Sequence, residues 1–351
     1  MPVDTSATFN AFASHGKGTP IVPWQYNPRP LGPNDIEIAI SHCGICGSDI
    51  HTLDSGWGPT KYPVVVGHEI VGTVRQVGSA VTRHAIGDRV GVGAQVFACQ
   101  DRSGCASCAA KDEPHCPKGV YTYNAKYADG ETAYGGYAEA VRVDANFAVS
   151  VPAEISSEHA APLMCAGVTV FTPILRHNVK AGDRVGVIGI GGLGHLAIQF
   201  AAKIGAKVTA FSTSDNKREE CKTLGASTFV NTKKPEDVAA AQNSLDFLLV
   251  TANADGMPWN TYLSTMARAG KVIILGLPES DASLNLGALV RKDLILTGSL
   301  IGTPAELEQT LEFAAKHGVR PMIECMPMSQ VNEGIAHVNS GKVRYRVVLE
   351  N

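Results

Sequence analysis

The residues able to do chemistry are unevenly spread along this chain. Of its nine cysteines, Cys99, Cys105, Cys108 and Cys116 crowd into one loop. Thiols this close let one loop wrap a tetrahedral cation, and four thiolates suit a closed, structural zinc. An iron–sulfur cluster uses the same ligand type, but nothing else in the chain points to electron transfer. Cys46 lies in His42-Cys43-Gly44-Ile45-Cys46-Gly47-Ser48-Asp49-Ile50-His51, His68 and Glu69 in Gly67-His68-Glu69, and Cys165 in Pro162-Leu163-Met164-Cys165-Ala166-Gly167. Two thiolates and an imidazole would hold a zinc and keep one position open for a substrate. An odd cysteine count with no signal peptide ahead of it argues for reduced thiols rather than a disulfide framework.

A second kind of chemistry is signalled by Gly189-Ile190-Gly191-Gly192-Leu193-Gly194, which follows an apolar run at 184–190 and opens a helix-like segment at 195–205. A pyrophosphate needs bare backbone N–H groups, and a helix N-terminus adds partial positive charge. A glycine loop alone is a weak signal; the strand before and helix after are the context that makes it a dinucleotide site. An NAD site carries an acid about 20 residues beyond the loop to bind the ribose hydroxyls. Here the strand tip reads Ser212-Thr213-Ser214-Asp215-Asn216-Lys217-Arg218. Hydroxyls and two cations suit a 2′-phosphate, so NADP(H) is the expected cofactor. Asp215, a few residues along, is the alternative ribose acid and would mean NAD.

Two kinds of scaffold must position these groups. The first 150 or so residues are turn-rich with short β-type runs at 36–40, 64–78 and 89–93, which suits an antiparallel, barrel-like domain. Near Ser156 the pattern becomes strand–helix alternation. Strands are expected at 184–190, 207–212, 245–250, 271–276 and 293–299, the continuous apolar runs reading as parallel strands covered on both faces. Ser214 is expected to cap a helix ending at Leu224, with Gly225 beyond it. The last stretch predicts one helix at 304–318 and one strand at 342–350. The fold class is α/β.

Composition narrows the function. With 30 Lys and Arg against 33 Asp and Glu, the net charge is −3, which leaves no basic field for a nucleic acid. A hydrophobic fraction of 44% supports packed cores. The uncharged stretch at 185–202 holds five glycines, His195 and Gln199, so it is no membrane span. The first ten residues carry Asp4 and no basic region, so neither a signal nor a transit peptide is expected, and the setting is cytoplasmic.

With these motifs go Tyr134-Gly135-Gly136-Tyr137 and Arg344-Tyr345-Arg346. Together and in this order, the chain resembles a zinc-dependent medium-chain alcohol dehydrogenase of the cinnamyl alcohol dehydrogenase branch. The resemblance implies a GroES-like, partly barrel-like catalytic domain over 1–157 and 299–351. A Rossmann doubly wound parallel-sheet domain would lie between, at 158–298, with the active site in the cleft. It implies two zinc ions per chain: a catalytic one on Cys46, His68 and Cys165, and a structural one on Cys99, Cys105, Cys108 and Cys116. Glu69 would approach or replace the open ligand position, and Asp49 would orient the ligand histidine; Cys43 would not be a ligand. Ser48 and His51 would form the proton relay. NADP(H) would lie on Thr169, Gly189, Gly191, Gly192, Leu193, Gly194, Ser212, Thr213, Ser214, Lys217, Thr251, Gly276, Ser299 and Ile301. Trp57 and Ile301 are candidates for the wall of the substrate pocket, with core packing as the alternative for each.

The implied reaction is reduction of aldehydes, aromatic and medium aliphatic, to primary alcohols, and the reverse. The implied assembly is a homodimer paired through 293–302, with a small molecule as its only other partner. A conjugate or iminium reductase on the same scaffold, and a non-catalytic zinc and NADPH-binding protein, are the alternatives. The retained Ser48 and His51 argue against the first, the open zinc set against the second. Two departures from the family pattern stand out. Five residues, 100–104, separate the first two loop cysteines where two are usual. Thr213 also occupies the position after the strand-tip serine where an arginine is common in the NADP branch.

Overall fold

The structure, a computed structural model, describes residues 7–252, 254, 256–278 and 281–351, so the N-terminal residues 1–6 lie outside it. The chain forms two compact units, one of residues 1–165, 302–315 and 321–351, the other of 166–301 and 316–320.

In the first unit the Asp35–Gly44 strand is the hub. It pairs antiparallel with Glu69–Val77, Ala140–Asp144 and Arg346–Glu350, inside a seven-stranded sheet. Ile36, Ile38 and Ile40 are buried in the core beneath it. Glu37 on the same strand is also buried; Arg142 Nε donates to one of its oxygens at 2.6 Å and Arg75 Nε to the other at 2.5 Å. The run at 64–78 is strand only from Glu69, leaving residues 65–68 as buried, irregular backbone. The last strand starts at Arg346 rather than 342. Beside it, in parallel, lies Ile323–Pro327, followed by a helix at Val331–Asn339. Neither was expected: the strand exposes Glu324 and Cys325 and shows no clean apolar alternation.

The second unit is a six-stranded, all-parallel sheet in the spatial order Thr228–Asn231, Lys207–Ser212, Arg184–Ile188, Leu245–Val250, Met266–Ile274, Ile295–Gly298. This is the doubly wound order, whose direction reverses between Arg184–Ile188 and Leu245–Val250. The helix Gly194–Ile204 ends at Gly205, whose φ of 95° is the left-handed stop a glycine supplies. After the second strand the expected single helix is divided into a 3-10 turn, Asp215–Lys217, and a helix, Arg218–Leu224; the Ser214 hydroxyl makes no capping bond. Ile295–Gly298 is not covered on both faces. It is an edge strand, and Ile295 is 48% exposed. Among the described residues no helix is long and apolar enough to cross a membrane.

Removing one partner of a buried ion pair strands the other charge. Glu37→Leu is therefore expected to lower unfolding free energy by about 3–5 kcal/mol, read by chemical denaturation. A change under about 1 kcal/mol, the scale of an exposed pair, would refute the buried pairing.

Candidate active site and metal centres

Cys46 caps the helix Gly47–Leu53, and its N–H donates to Asp49 Oδ2 at 2.8 Å. The other Asp49 oxygen accepts from the Gly67 N–H at 3.0 Å and lies 2.9 Å from His68 Nδ1. The Tyr137 hydroxyl donates to Asp49 Oδ2 at 3.3 Å. Asp49 is fully buried, so its charge depends on these donors. Its bond to His68 assigns the proton to Nδ1 and leaves Nε2 bare as a ligand. Tyr123 Oη lies 3.0 Å from the same Nδ1.

His68 Nε2 is 3.0 Å from Cys165 Sγ, which is 4.0 Å from Cys46 Sγ. With a Glu69 oxygen, these atoms all lie within 4.8 Å of one another. A tetrahedral zinc with Zn–S near 2.3 Å and Zn–N near 2.0 Å has donor–donor edges of about 3.5–3.8 Å, so the spacings bracket those of a metal site. Bonding to Cys165, with the nearby Arg346 and His68 charges, holds the Cys46 thiol well below its ordinary range despite burial; the thiolate is the ligating form. Cys165 is presented by a π-helical turn, Leu163–Gly167, the kind of local widening that re-aims a side chain.

Glu69 completes the set. Its oxygens are buried with no hydrogen-bond partner, and Arg346 Nη1 stands 3.5 Å from Oε1. Burial raises its pKa to about 8, against the pull of Arg346. A Cβ on Gly44 would fall 2.0 Å from Glu69 Oε2, so the glycine is what admits this carboxylate. An orphaned buried carboxylate beside two thiols and an imidazole is a donor set suited to a cation. Ser48 Oγ is 3.7 Å from Cys46 Sγ. His51 sits one helical turn further on, its ring stacked on Trp57 with centroids 4.6 Å apart.

The four loop cysteines also cluster. Cys99 Sγ is 3.6 Å from Cys108 Sγ and 3.5 Å from Cys116 Sγ, and Cys105 Sγ is 3.9 Å from Cys116 Sγ. These are close to the edges of a zinc–thiolate tetrahedron. The long 100–104 spacer is drawn in by Asp101, whose Oδ1 accepts from the Ser103 N–H, the Ser103 hydroxyl and the Gly104 N–H. The spacer thus closes on itself as an Asx-turn and returns Cys99 to the other three. Burial is outweighed at Cys116, where the Cys99 and Lys118 backbone amides help bring the thiol down to about 7.

In the second unit the glycine loop has the shape a pyrophosphate needs. Gly189 has a φ of 87°, a Cβ on Gly194 would fall 1.9 Å from the Gly189 carbonyl oxygen, and one on Gly191 would meet open space. Gly192 and Leu193 complete the turn into the helix, whose N-cap is Leu193. The Thr251 hydroxyl bonds the Ile188 and Gly189 carbonyls at 2.8 and 2.7 Å. Gly276 and Ser299 likewise follow strand ends, and Ser299 Oγ is buried without a partner. Thr169 is buried in the helix Val168–Arg176. Ile301 has a φ of 40°, a strained value for a β-branched residue. At the second strand tip Ser212 Oγ accepts from the Ser214 N–H at 3.4 Å, and Thr213 is exposed. Lys217 Nζ donates to the Ile190 carbonyl at 2.5 Å, tying this tip to the glycine loop. Asp215 is engaged by Lys234 at 2.9 Å, Arg218 at 2.7 Å and Asn231 at 3.1 Å.

Residues 32–153 match the model of the alcohol dehydrogenase GroES-like domain, and residues 192–316 that of the zinc-binding dehydrogenases. A probable cinnamyl alcohol dehydrogenase 3 of Oryza sativa subsp. japonica is 42% identical over 93% of this chain and 89% of that protein. The chain belongs to the zinc-dependent alcohol dehydrogenase family. Among solved structures, a cinnamyl alcohol dehydrogenase from Sorghum bicolor is 35% identical with a TM-score of 0.94, over 98% of each chain. The enzyme from Helicobacter pylori complexed with NADP(H) is 32% identical with a TM-score of 0.90, again over 98% of each.

Some of this dehydrogenase's site residues left no usable trace in the sequence. Arg346 was visible only as part of a motif, with nothing to say that it faces Glu69. Tyr123 and Lys234 belong to no motif; the connection between the short strands Val120–Tyr121 and Ala125–Lys126 brings in the first, and the loop after the strand Thr228–Asn231 the second. Asp49→Asn removes the charge that holds His68 and sets an amide among donors. Zinc affinity at the Cys46–His68–Cys165 set is expected to fall about 10- to 100-fold, measured as metal lost to a graded chelator. Zinc retention equal to the parent's would show that Asp49 does not orient the ligand.

Proposed function

We propose that this dehydrogenase interconverts aldehydes and primary alcohols with NADP(H), favouring aromatic and medium aliphatic aldehydes. The observation that carries the reading is the buried Cys46, His68 and Cys165 set with the Ser48 hydroxyl beside it. When bound, zinc would supply Lewis acidity at an aldehyde oxygen and NADPH a hydride donor. The chain's own part is to hold the metal through Cys46, His68 and Cys165, with Glu69 as a fourth donor in reserve. Arg346 and the missing Cβ of Gly44 keep that carboxylate in place. Reduction leaves the product oxygen needing a proton. The Ser48 hydroxyl would donate it, and His51 would recharge the relay from solvent; oxidation runs the same transfers backwards. Trp57, stacked on His51, fixes that imidazole and presents an apolar ring to an aromatic substrate.

Thr169, Gly189, Gly191, Gly192, Leu193, Gly194, Thr251, Gly276, Ser299 and Ile301 would hold the dinucleotide, with Ser212, Thr213, Ser214 and Lys217 toward the 2′-phosphate. Because three donors already occupy Asp215, it is a poor partner for ribose hydroxyls, which supports NADP(H) over NAD(H). The NADP(H) bound by the Helicobacter pylori relative supports the same choice. The four-cysteine cluster would hold a second, structural zinc.

Initial rates over a panel of aromatic and aliphatic aldehydes test this. NADPH should exceed NADH in kcat/KM by about tenfold or more, the scale of one good charge-assisted contact, and Ser212→Asp should narrow the gap. Elemental analysis of the same protein should find two zinc ions per chain. Equal use of both cofactors, or reduction of an enal's carbon–carbon bond in place of its carbonyl, would overturn the reading.

The exposed edge strand Ile295–Gly298 presents unpaired backbone groups, and such edges are covered in native assemblies. Pairing of two copies along it would make a homodimer with two-fold symmetry. Light scattering should report twice the 36.9 kDa chain mass; a monomer at assay concentration would reject the pairing.

A further inference from the structure

The loop after the third strand carries information that the cofactor tip alone does not. Ser212 and Asn231 are register partners at the carboxyl ends of adjacent parallel strands. The Thr232 N–H donates to the Ser212 carbonyl at 2.8 Å, so the loop that follows Asn231 runs beside the Ser212–Lys217 tip. From that loop Lys234 Nζ reaches Asp215 Oδ2 at 2.9 Å, and Asn231 Nδ2 donates to the same oxygen at 3.1 Å. Arg218 takes the other oxygen at 2.7 Å. The Asn231 side chain is itself fixed: its Oδ1 accepts the Lys233 N–H at 3.1 Å, and its backbone N–H donates to Asp237 Oδ2 at 3.0 Å.

Asp215 is the one acid at the tip of the second strand, where an NAD enzyme places the carboxylate that binds ribose hydroxyls. Left free, it would accept those hydroxyls and repel a 2′-phosphate. We propose that Lys234, seated by the Asn231 turn, is a specificity-determining residue that acts through Asp215, occupying and neutralising this carboxylate so that the tip accepts a 2′-phosphate. The inference rests on the NADP(H) reading above. A contribution to folding does not account for the pair: both side chains are more than two-fifths exposed, and exposed ion pairs add little stability. Asp215 is held far toward its ionised form, first by Lys234 and then by Arg218 and Asn231, so its negative charge persists and must be balanced whenever a phosphate is nearby.

The test is calorimetric binding of NADP+, NAD+ and adenosine 2′,5′-bisphosphate to the zinc-loaded enzyme. In Lys234→Met, NADP+ and the bisphosphate should bind about five- to tenfold more weakly, the scale of one unbalanced surface charge at low salt, while NAD+ holds or tightens. Adding Asp215→Asn to Lys234→Met should bring NADP+ affinity back to within about twofold of Asp215→Asn alone, because the two changes act on one charge. Failure of that rescue would place Lys234 on the phosphate itself and overturn the proposal. So would an unchanged NADP+ to NAD+ ratio in Lys234→Met, if the parent prefers NADP+; the cofactor reading would then stand without it. A parent with no preference for NADP+ would remove both.

Discussion

The catalytic unit turns on one buried carboxylate. Asp49 receives the Cys46 N–H, the Gly67 N–H, the Tyr137 hydroxyl and the His68 imidazole. These come from a helix start, an irregular run before a strand and a distant loop. A carboxylate with no exposure to water is tolerated only when its lone pairs are filled. That requirement works in reverse as a positional constraint: the donors must be where they are. The segments that carry Cys46 and His68 are thereby fixed against each other before any metal arrives. Cys46 and His68 are thus preorganised, which reduces the ordering cost of binding.

A second layer of buried charge lies beneath the first. Glu69 and Arg346 are both essentially unexposed, yet their closest approach is 3.5 Å, and Arg346 spends one N–H on the Ile45 carbonyl at 3.1 Å. The pair is therefore loose compared with Glu37 and Arg142 at 2.6 Å in the same unit. The difference is chemical. Glu37 is fully committed to two guanidinium groups and serves the sheet. Glu69 has uncommitted oxygens and faces two thiols and an imidazole, so its unmet demand is for a cation. Tightness marks the structural pair, and the loose pair marks the working one.

What the sequence disclosed follows from how each feature is encoded. The glycine loop and five of the six parallel strands were legible because their requirement is local: no Cβ fits at Gly194, and doubly covered strands read as apolar runs; the short edge strand Thr228–Asn231, half of it not buried, gave no such run and was missed. The two cysteine sets were legible because thiols are rare and their chemistry narrow. The edge strand Ile323–Pro327 was not, because three of its five residues are exposed and its pairing is set by the distant strand Arg346–Glu350. The split of the helix after Ser214 was also hidden. Ser214 has the residue type of a cap, but Asp215 is drawn sideways to Lys234 and Asn231, and the chain makes a 3-10 turn before the helix begins. Tertiary pairing overrode local propensity there.

The four-cysteine loop and the glycine loop tolerate change very differently, for a physical reason. The four-cysteine loop has three more residues between Cys99 and Cys105 than the family pattern, yet its sulfurs converge. Lengthening a loop costs little entropy, and Asp101 turns the extra residues back on themselves through three short bonds. Sulfur positions matter there, and the path between them does not. The glycine loop has no such freedom. Its backbone would itself meet the pyrophosphate, and the Gly189 carbonyl oxygen lies 1.9 Å from where a Cβ of residue 194 would be. An inserted residue would move the N–H groups themselves. Spacing is therefore a strict guide to a backbone site and a loose one to a side-chain site, so the five-residue spacer after Cys99 was compatible with a four-thiol cluster all along.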